Sequence, residues 1–305
     1  MMSLKDEIIK KAYIKSYKIE NSMLKYFIMI TTKCLVDDGK QRYVYIDENR
    51  FRDELRYYKY YGNMDRNTNF LNASIPLILS NNSIEKSTDN VYNLMFKYAS
   101  FMKCGAYRYG LAAVIYNEVI HAIIEDKGIS YEDIFSIIKS KIIEFNPSVD
   151  KSETVKFQMY RIGIISSIDN YINGETDEKR DPVIDLFNVL YDIYVEEREC
   201  CDDGMKSIKN TIMSILDTEE YENNDGFIES MGDYLIKIKN YKLNKKFYGM
   251  EANPLGLINL SEGEEFNDPI LNRIRILSKT MDGSILNIKI GSKSGEYNFR
   301  FMKKA

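Results

Sequence analysis

Three sets of side chains in this chain have the chemistry for a site. The single histidine, His121, has Glu118 and Glu125 about one helical turn to either side. That spacing suits a general base held by a carboxylate. It suits equally a histidine bonded within a helical core. Two Asp-Asp-Gly sequences offer Asp37, Asp38, Asp202 and Asp203 as oxygen ligands for a hard cation. Turn formation explains them as well, because Asp and Gly are common turn residues. The cysteines are Cys34, Cys104, Cys200 and Cys201, with no CxxC pair. Cys104, before Gly105, has the place of a reactive thiol, but small free cysteines are more often core residues. With one histidine and no paired thiols at usable spacing, a structural zinc site is not expected.

Several familiar chemistries are missing. No GxGxxG, GxxxxGK[ST], GxSxG or HExxH sequence occurs. The stretch 169–180 faintly resembles a calcium loop. Tyr171 and Arg180 fill its third and twelfth positions, so its key ligands are absent.

Charge is uneven along the chain. The net charge is −4, yet residues 270–305 carry eight basic and two acidic residues. That leaves the tail at +6 and the remainder at −10. The body should repel polyanions and the tail attract them. The charged start, MMSLKDEIIKK, and an apolar run of only 26–30 imply no signal peptide and no membrane span. Together with the cysteine usage, this gives a cytoplasmic expectation.

Helical spacing dominates to about residue 240. Helices are expected at 4–18, 21–36, 48–60, 69–80, 85–103, 107–127, 130–145, 152–172, 182–199, 205–217 and 226–240, with a short strand at 42–46. Pro76 either kinks its helix or sets its first turn. Ser130 with Asp133 reads as a capping pair, and Asp181-Pro182 as a start signal. Gly128 stands where a C-terminal cap belongs. The segment 249–269, rich in Gly, Asn, Pro and Glu, reads as a loop. From 270 the period becomes two, and Asp282-Gly283 and Ser294-Gly295 separate three runs. The expected fold is mainly α: a helical domain over 1–246, a linker over 247–269, and a short antiparallel β-meander over 270–305, packed on the body or appended to it. If Ile274, Ile276, Leu286, Ile288, Ile290, Tyr297, Phe299 and Phe301 point inward, Arg273, Arg275, Lys289 and Arg300 share the outer face. Such a face would suit an acidic protein or nucleic acid. Equally, it would protect a sheet from aggregation.

Residues 65–127 resemble part of the ADP-ribosylglycohydrolase family. The resemblance is carried by the run Asn69, Phe70, Leu71, Asn72, Ala73, Ser74, Ile75, Pro76 and Leu77, the helix to Met102, and the Ala-rich segment 107–127. It covers about a fifth of the chain. The family's arginine before the proline falls on Ala73, and its Thr-His junction near Lys103-Cys104. Its Thr-Asp-Asp-Thr and later Asp-rich motifs have no match, since both Asp-Asp pairs continue into Gly. The resemblance implies an all-helical fold with a lost or altered metal centre.

Three functions follow. The first is a helical protein binding a ligand or partner, without metal-dependent hydrolysis and with no identifiable cofactor. The second is a diverged hydrolase of ADP-ribosyl or nucleotide conjugates, using Mg²⁺. The third is a subunit of a nucleoprotein or anti-defence assembly.

Overall fold

The computed structural model describes residues 2–65, 67–147, 151–198, 202–217, 225–243 and 252–302. Cys200, Cys201, Lys303 and Lys304 lie outside the described residues. The chain forms two compact units, one of residues 1–46 and 65–245, the other of 47–64 and 246–305.

The first unit is helical. Its elements are α1 (Leu4–Lys15), α2 (Ser22–Cys34), β1 (Leu35–Asp38) and β2 (Tyr43–Ile46). In the second unit follows α3 (Glu48–Tyr61). The first unit then continues with α4 (Ile75–Ser80), α5 (Ile84–Met102), α6 (Ala106–Glu125), α7 (Tyr131–Glu144), α8 (Lys151–Ile172), α9 (Pro182–Tyr194), α10 (Asp203–Leu216) and α11 (Gly226–Lys239). Every residue from Tyr109 to His121 is buried, because α6 is enclosed by α5, α7, α9 and α10. Its small residues permit that. A Cβ on Gly110 would lie 2.5 Å from the Tyr92 ring, so the glycine admits α5. A helix apolar on all sides belongs in a core.

Local signals explain most boundaries. Ser130 accepts the Asp133 N–H and donates its hydroxyl to the Asp133 carboxylate. Asp181 caps α9 through the Val183 N–H at 3.0 Å, ahead of Pro182 in the first turn. Pro76 likewise lies in the first turn of α4, so it starts this helix rather than kinking it. Gly128 is not the cap expected of it. Helix α6 ends at Glu125, and the Gly128 N–H instead donates to the Asp126 side chain in a following turn.

The segment after α2 differs from expectation. Leu35–Asp38, read as helix end and turn, is a strand paired antiparallel to β2, with Leu35 opposite Ile46 and Asp38 opposite Tyr43. Asn81 supplies the reason β2 holds, since its amide oxygen accepts the Val44 N–H and its amide nitrogen donates to the Val44 carbonyl.

The second unit combines α3 with β3 (Glu265–Asp268), β4 (Asn272–Asp282), β5 (Ile285–Ser292) and β6 (Gly295–Met302). Helix α3, read from sequence as part of the helical body, thus belongs with the tail. Tyr57, Tyr60 and Tyr61 lay their rings on Tyr297, Phe299 and Phe301 at centroid distances of 4.9–6.0 Å. The Tyr57 hydroxyl donates to Asp268 at 2.7 Å. The sheet is antiparallel in the order β3-β4-β5-β6, with a bulge between Ile276 and Ser278. It therefore has four strands, not three. β3 lies within the segment read as loop; three of its four residues are exposed, so it carries no alternating apolar signal.

Candidate functional site

A cavity of about 350 Å³ opens in the helical unit. Three helix starts meet at it. Gly105 precedes α6, Asp181 caps α9, and Asp202 caps α10. Asn67 and Asn69 approach from the loop before α4, and Cys104, Arg108, Tyr109, Arg180, Asp185 and Met205 complete the polar and apolar wall. Tyr109 is held by stacking on Phe70, centroids 4.0 Å apart.

The charges fall into two groups. Arg108 and Asp181 form a fixed pair. Their closest atoms are 3.5 Å apart, the guanidinium lies 5.4 Å from the Tyr160 ring centre, and the Tyr160 hydroxyl donates to Asp181 at 2.6 Å. Asp185 and Asp202 are less satisfied. The Asn69 amide donates to Asp185 at 2.7 Å. Burial still pushes the Asp185 carboxyl up to about 6, helped by the charges of Asp202 and Asp181 and opposed by Asn69 and Arg180. Burial likewise raises Asp202, against the N–H groups of Met205 and Gly204 that it accepts. Such displacement marks carboxyls suited to proton exchange or ligand contact.

Asp185 therefore has a measurable linkage. Its folded value lies above its ordinary 3.8, so between about pH 4 and 6 the folded state keeps a proton that the unfolded chain has lost. Stability falls as pH rises through that window and stays lowered above it. Asp185→Asn is expected to stabilise the unit by about 2 kcal/mol at pH 7.5 and by little at pH 4. Urea denaturation at both pH values measures this. An equal effect at the two would show that Asp185 ionises like a solvated carboxylate.

The structure scatters the residues singled out from sequence. Asp202 lines the cavity; Asp37, Asp38 and Asp203 are not among its lining residues. Asp37 accepts the Leu243 N–H, and Asp38 accepts those of Lys40 and Gln41 in a turn. Asp203 accepts those of Glu20 and Asn21. Among the described residues no three His, Cys, Asp or Glu side chains are grouped to hold a metal ion. His121 is buried, and burial with nearby Lys5 and Lys239 pushes it down to about 4. Its imidazole is thus neutral at pH 7, and Glu118 faces Lys141.

In the second unit, Ile274, Ile276, Ile288, Ile290, Tyr297, Phe299 and Phe301 are buried. Leu286 is half-buried. Arg273, Arg275 and Arg300 are exposed, and Lys289 is half-buried. Two of these four cations meet acids on the sheet. Arg273 pairs with Glu265, and Lys289 with Glu296 at 2.6 Å. Glu265 also stands opposite Arg275 in register. The four cations thus share their face with Glu265 and Glu296.

Asp185, Arg108 and Arg180 carried no sequence signal, because the cavity gathers residues from positions 67 to 205 with no local spacing to betray them. The readable trace was Asp181, recognised as a cap, with Asp185 one turn later. No protein-family model, curated protein or solved structure matches the chain. No helix among the described residues is long and apolar enough to cross a membrane.

Proposed function

We propose that the helical unit binds a small polar ligand in the cavity between the starts of α6, α9 and α10. One observation supports this above the rest: two carboxyls held above their ordinary range share a cavity of about 350 Å³ with Asn69, Arg180 and Cys104. Concave sites of roughly 300–1,000 Å³ with few convergent polar groups are where small molecules bind. The test is a thermal-shift screen of nucleosides, nucleotides, sugars, amino acids and amines. At least one compound should raise the Tm of the wild type and lose that effect in Asp185→Asn. If no compound does so, or every shift survives that substitution, the cavity is not the site.

One observation favours the hydrolase reading as a second. Asn69 and Cys104, which stand in the region of family resemblance, line the same cavity as Asp202. A diverged hydrolase of an ADP-ribosyl or nucleotide conjugate would seat its scissile bond there. The donor set does not fit Mg²⁺, which takes near-ideal octahedral oxygen coordination. Among the described residues no three carboxylates are grouped to hold it, and Asp37, Asp38 and Asp203 face backbone elsewhere. Conjugate cleavage that survives EDTA and is lost in Asp185→Asn would favour the hydrolase over simple binding.

A further inference from the structure

We propose that this cavity takes a primary ammonium compound, with its N–H donors seated on Asp185 and Asp202; the proposal rests on reading the cavity as the ligand site. The charge balance points this way. Among the described residues that line the cavity, Asp181, Asp185 and Asp202 face Arg108 and Arg180, three carboxyls against two guanidiniums. Arg108 is committed to Asp181 and covered by Tyr160. Among the described residues Arg180 makes no hydrogen bond or ion pair, and it is exposed. Its charge reaches Asp65, Asp185 and Asp202 only at a distance. Among the described residues, Asp185 and Asp202 form no ion pair.

Geometry narrows the ligand further. An ionised carboxylate accepts only and has about four lone-pair sites. Asp185 uses one of them on Asn69, and both N–H groups that Asp202 accepts fall on Oδ1. A ligand rich in donors matches these acceptors. An anion would be buried against like charge, and a neutral molecule would leave the charge uncompensated. The Tyr109 ring offers a flat wall for a short methylene chain or for the ammonium itself.

The binding should be linked to protons. The groups that act on Asp185 are Asp181 and Arg180 beside it, Asp202 at α10, and Tyr171 on α8. Cys104, Arg108 and Tyr109 share its cavity wall from the start of α6. Of these carboxyls and bases, Asp185 is the one placed near 6. An ammonium displaces its proton, so affinity falls about tenfold per pH unit below 6 and is level above it until the amine loses its own proton near pH 10.

Met205 lines the cavity and reports on it. The experiment uses the full chain with ¹³C-methyl methionine, and Met205→Leu assigns the resonance. It compares three molecules of equal size: n-butylamine hydrochloride, n-butanol and butyrate. At pH 7.5 the amine should shift the Met205 resonance saturably and bind at least tenfold tighter than the other two. Its affinity should fall about tenfold at pH 5, and at least tenfold in Asp185→Asn. Butyrate or butanol binding as tightly as the amine overturns the proposal and leaves the site standing. The same holds if the amine leaves Met205 unmoved while compounds from the thermal screen still act through Asp185. If neither experiment finds a cavity ligand, both readings fall.

Discussion

Replacing Gly204 with alanine is expected to cost the helical unit about 3 kcal/mol, a steric effect larger than the helix propensity it gains. A Cβ at Gly204 would lie 1.9 Å from the Asn69 carbonyl oxygen and 2.9 Å from its carbon. Those are backbone atoms, so no side chain can turn aside. Either α10 or the Asn69 loop must shift. Asn69 also accepts the Leu71 N–H at 2.9 Å and donates to Asp185, so the shift reaches the cavity. Gly163 is the control. It lies exposed in the middle of α8, with nothing within 4 Å of a built Cβ. Gly163→Ala should stabilise by about 0.5–1 kcal/mol. Chemical denaturation of both variants separates close packing from backbone entropy. Equal signs for the two substitutions would contradict the contact between α10 and Asn69.

The second large effect concerns a buried ion pair. Lys239 of α11 donates to Asp6 of α1 at 3.0 Å, and the Asn240 amide reaches the other carboxylate oxygen at 3.1 Å. Burial works to raise Asp6, but these bonds and Ser3 outweigh it and hold the carboxyl below its ordinary 3.8. The pair therefore stabilises fully above about pH 4 and weakens as pH falls through the lowered value. Removing one partner strands the other away from water. Lys239→Met is expected to cost about 3 kcal/mol, roughly 6–12 °C in Tm. The double variant Asp6→Leu, Lys239→Met should recover most of that, because the loss lies in the unpaired charge and not in the missing bond. His121, relieved of the Lys239 charge, should titrate above its value of about 4 in the single variant. Thermal unfolding of the three proteins, with a histidine NMR titration, checks both statements. A double variant no more stable than the single one would show that shape, not charge, governs this contact.

Most elements were legible because their apolar positions repeat at one period and their ends carry caps. α9 is the clearest, with Asp181, Pro182 and an apolar stripe agreeing on one start. β1 was not legible. Leu35, Val36 and Cys34 continue the apolar run of α2, and the strand is fixed by β2 and Asn81 rather than by its own residues. Nor was the membership of α3, whose tyrosines are those of any amphipathic helix until Tyr297, Phe299 and Phe301 face them. The Asp-Asp-Gly pairs show the same limit. One ends a strand in a turn. The other starts a helix whose glycine is needed by a carbonyl more than 130 residues away in the chain. Identical triplets thus have different reasons, and only tertiary contact separates them.

Asp185 lines the cavity of the helical unit, and burial holds its carboxyl above the ordinary range. A ¹³C-carboxyl NMR titration of the full chain, assigned with Asp185→Asn, reads this directly. The midpoint should lie near 6 in the free protein and move downward when n-butylammonium is added. A midpoint in the ordinary aspartate range of about 3.9, unmoved by the amine, would contradict the claim.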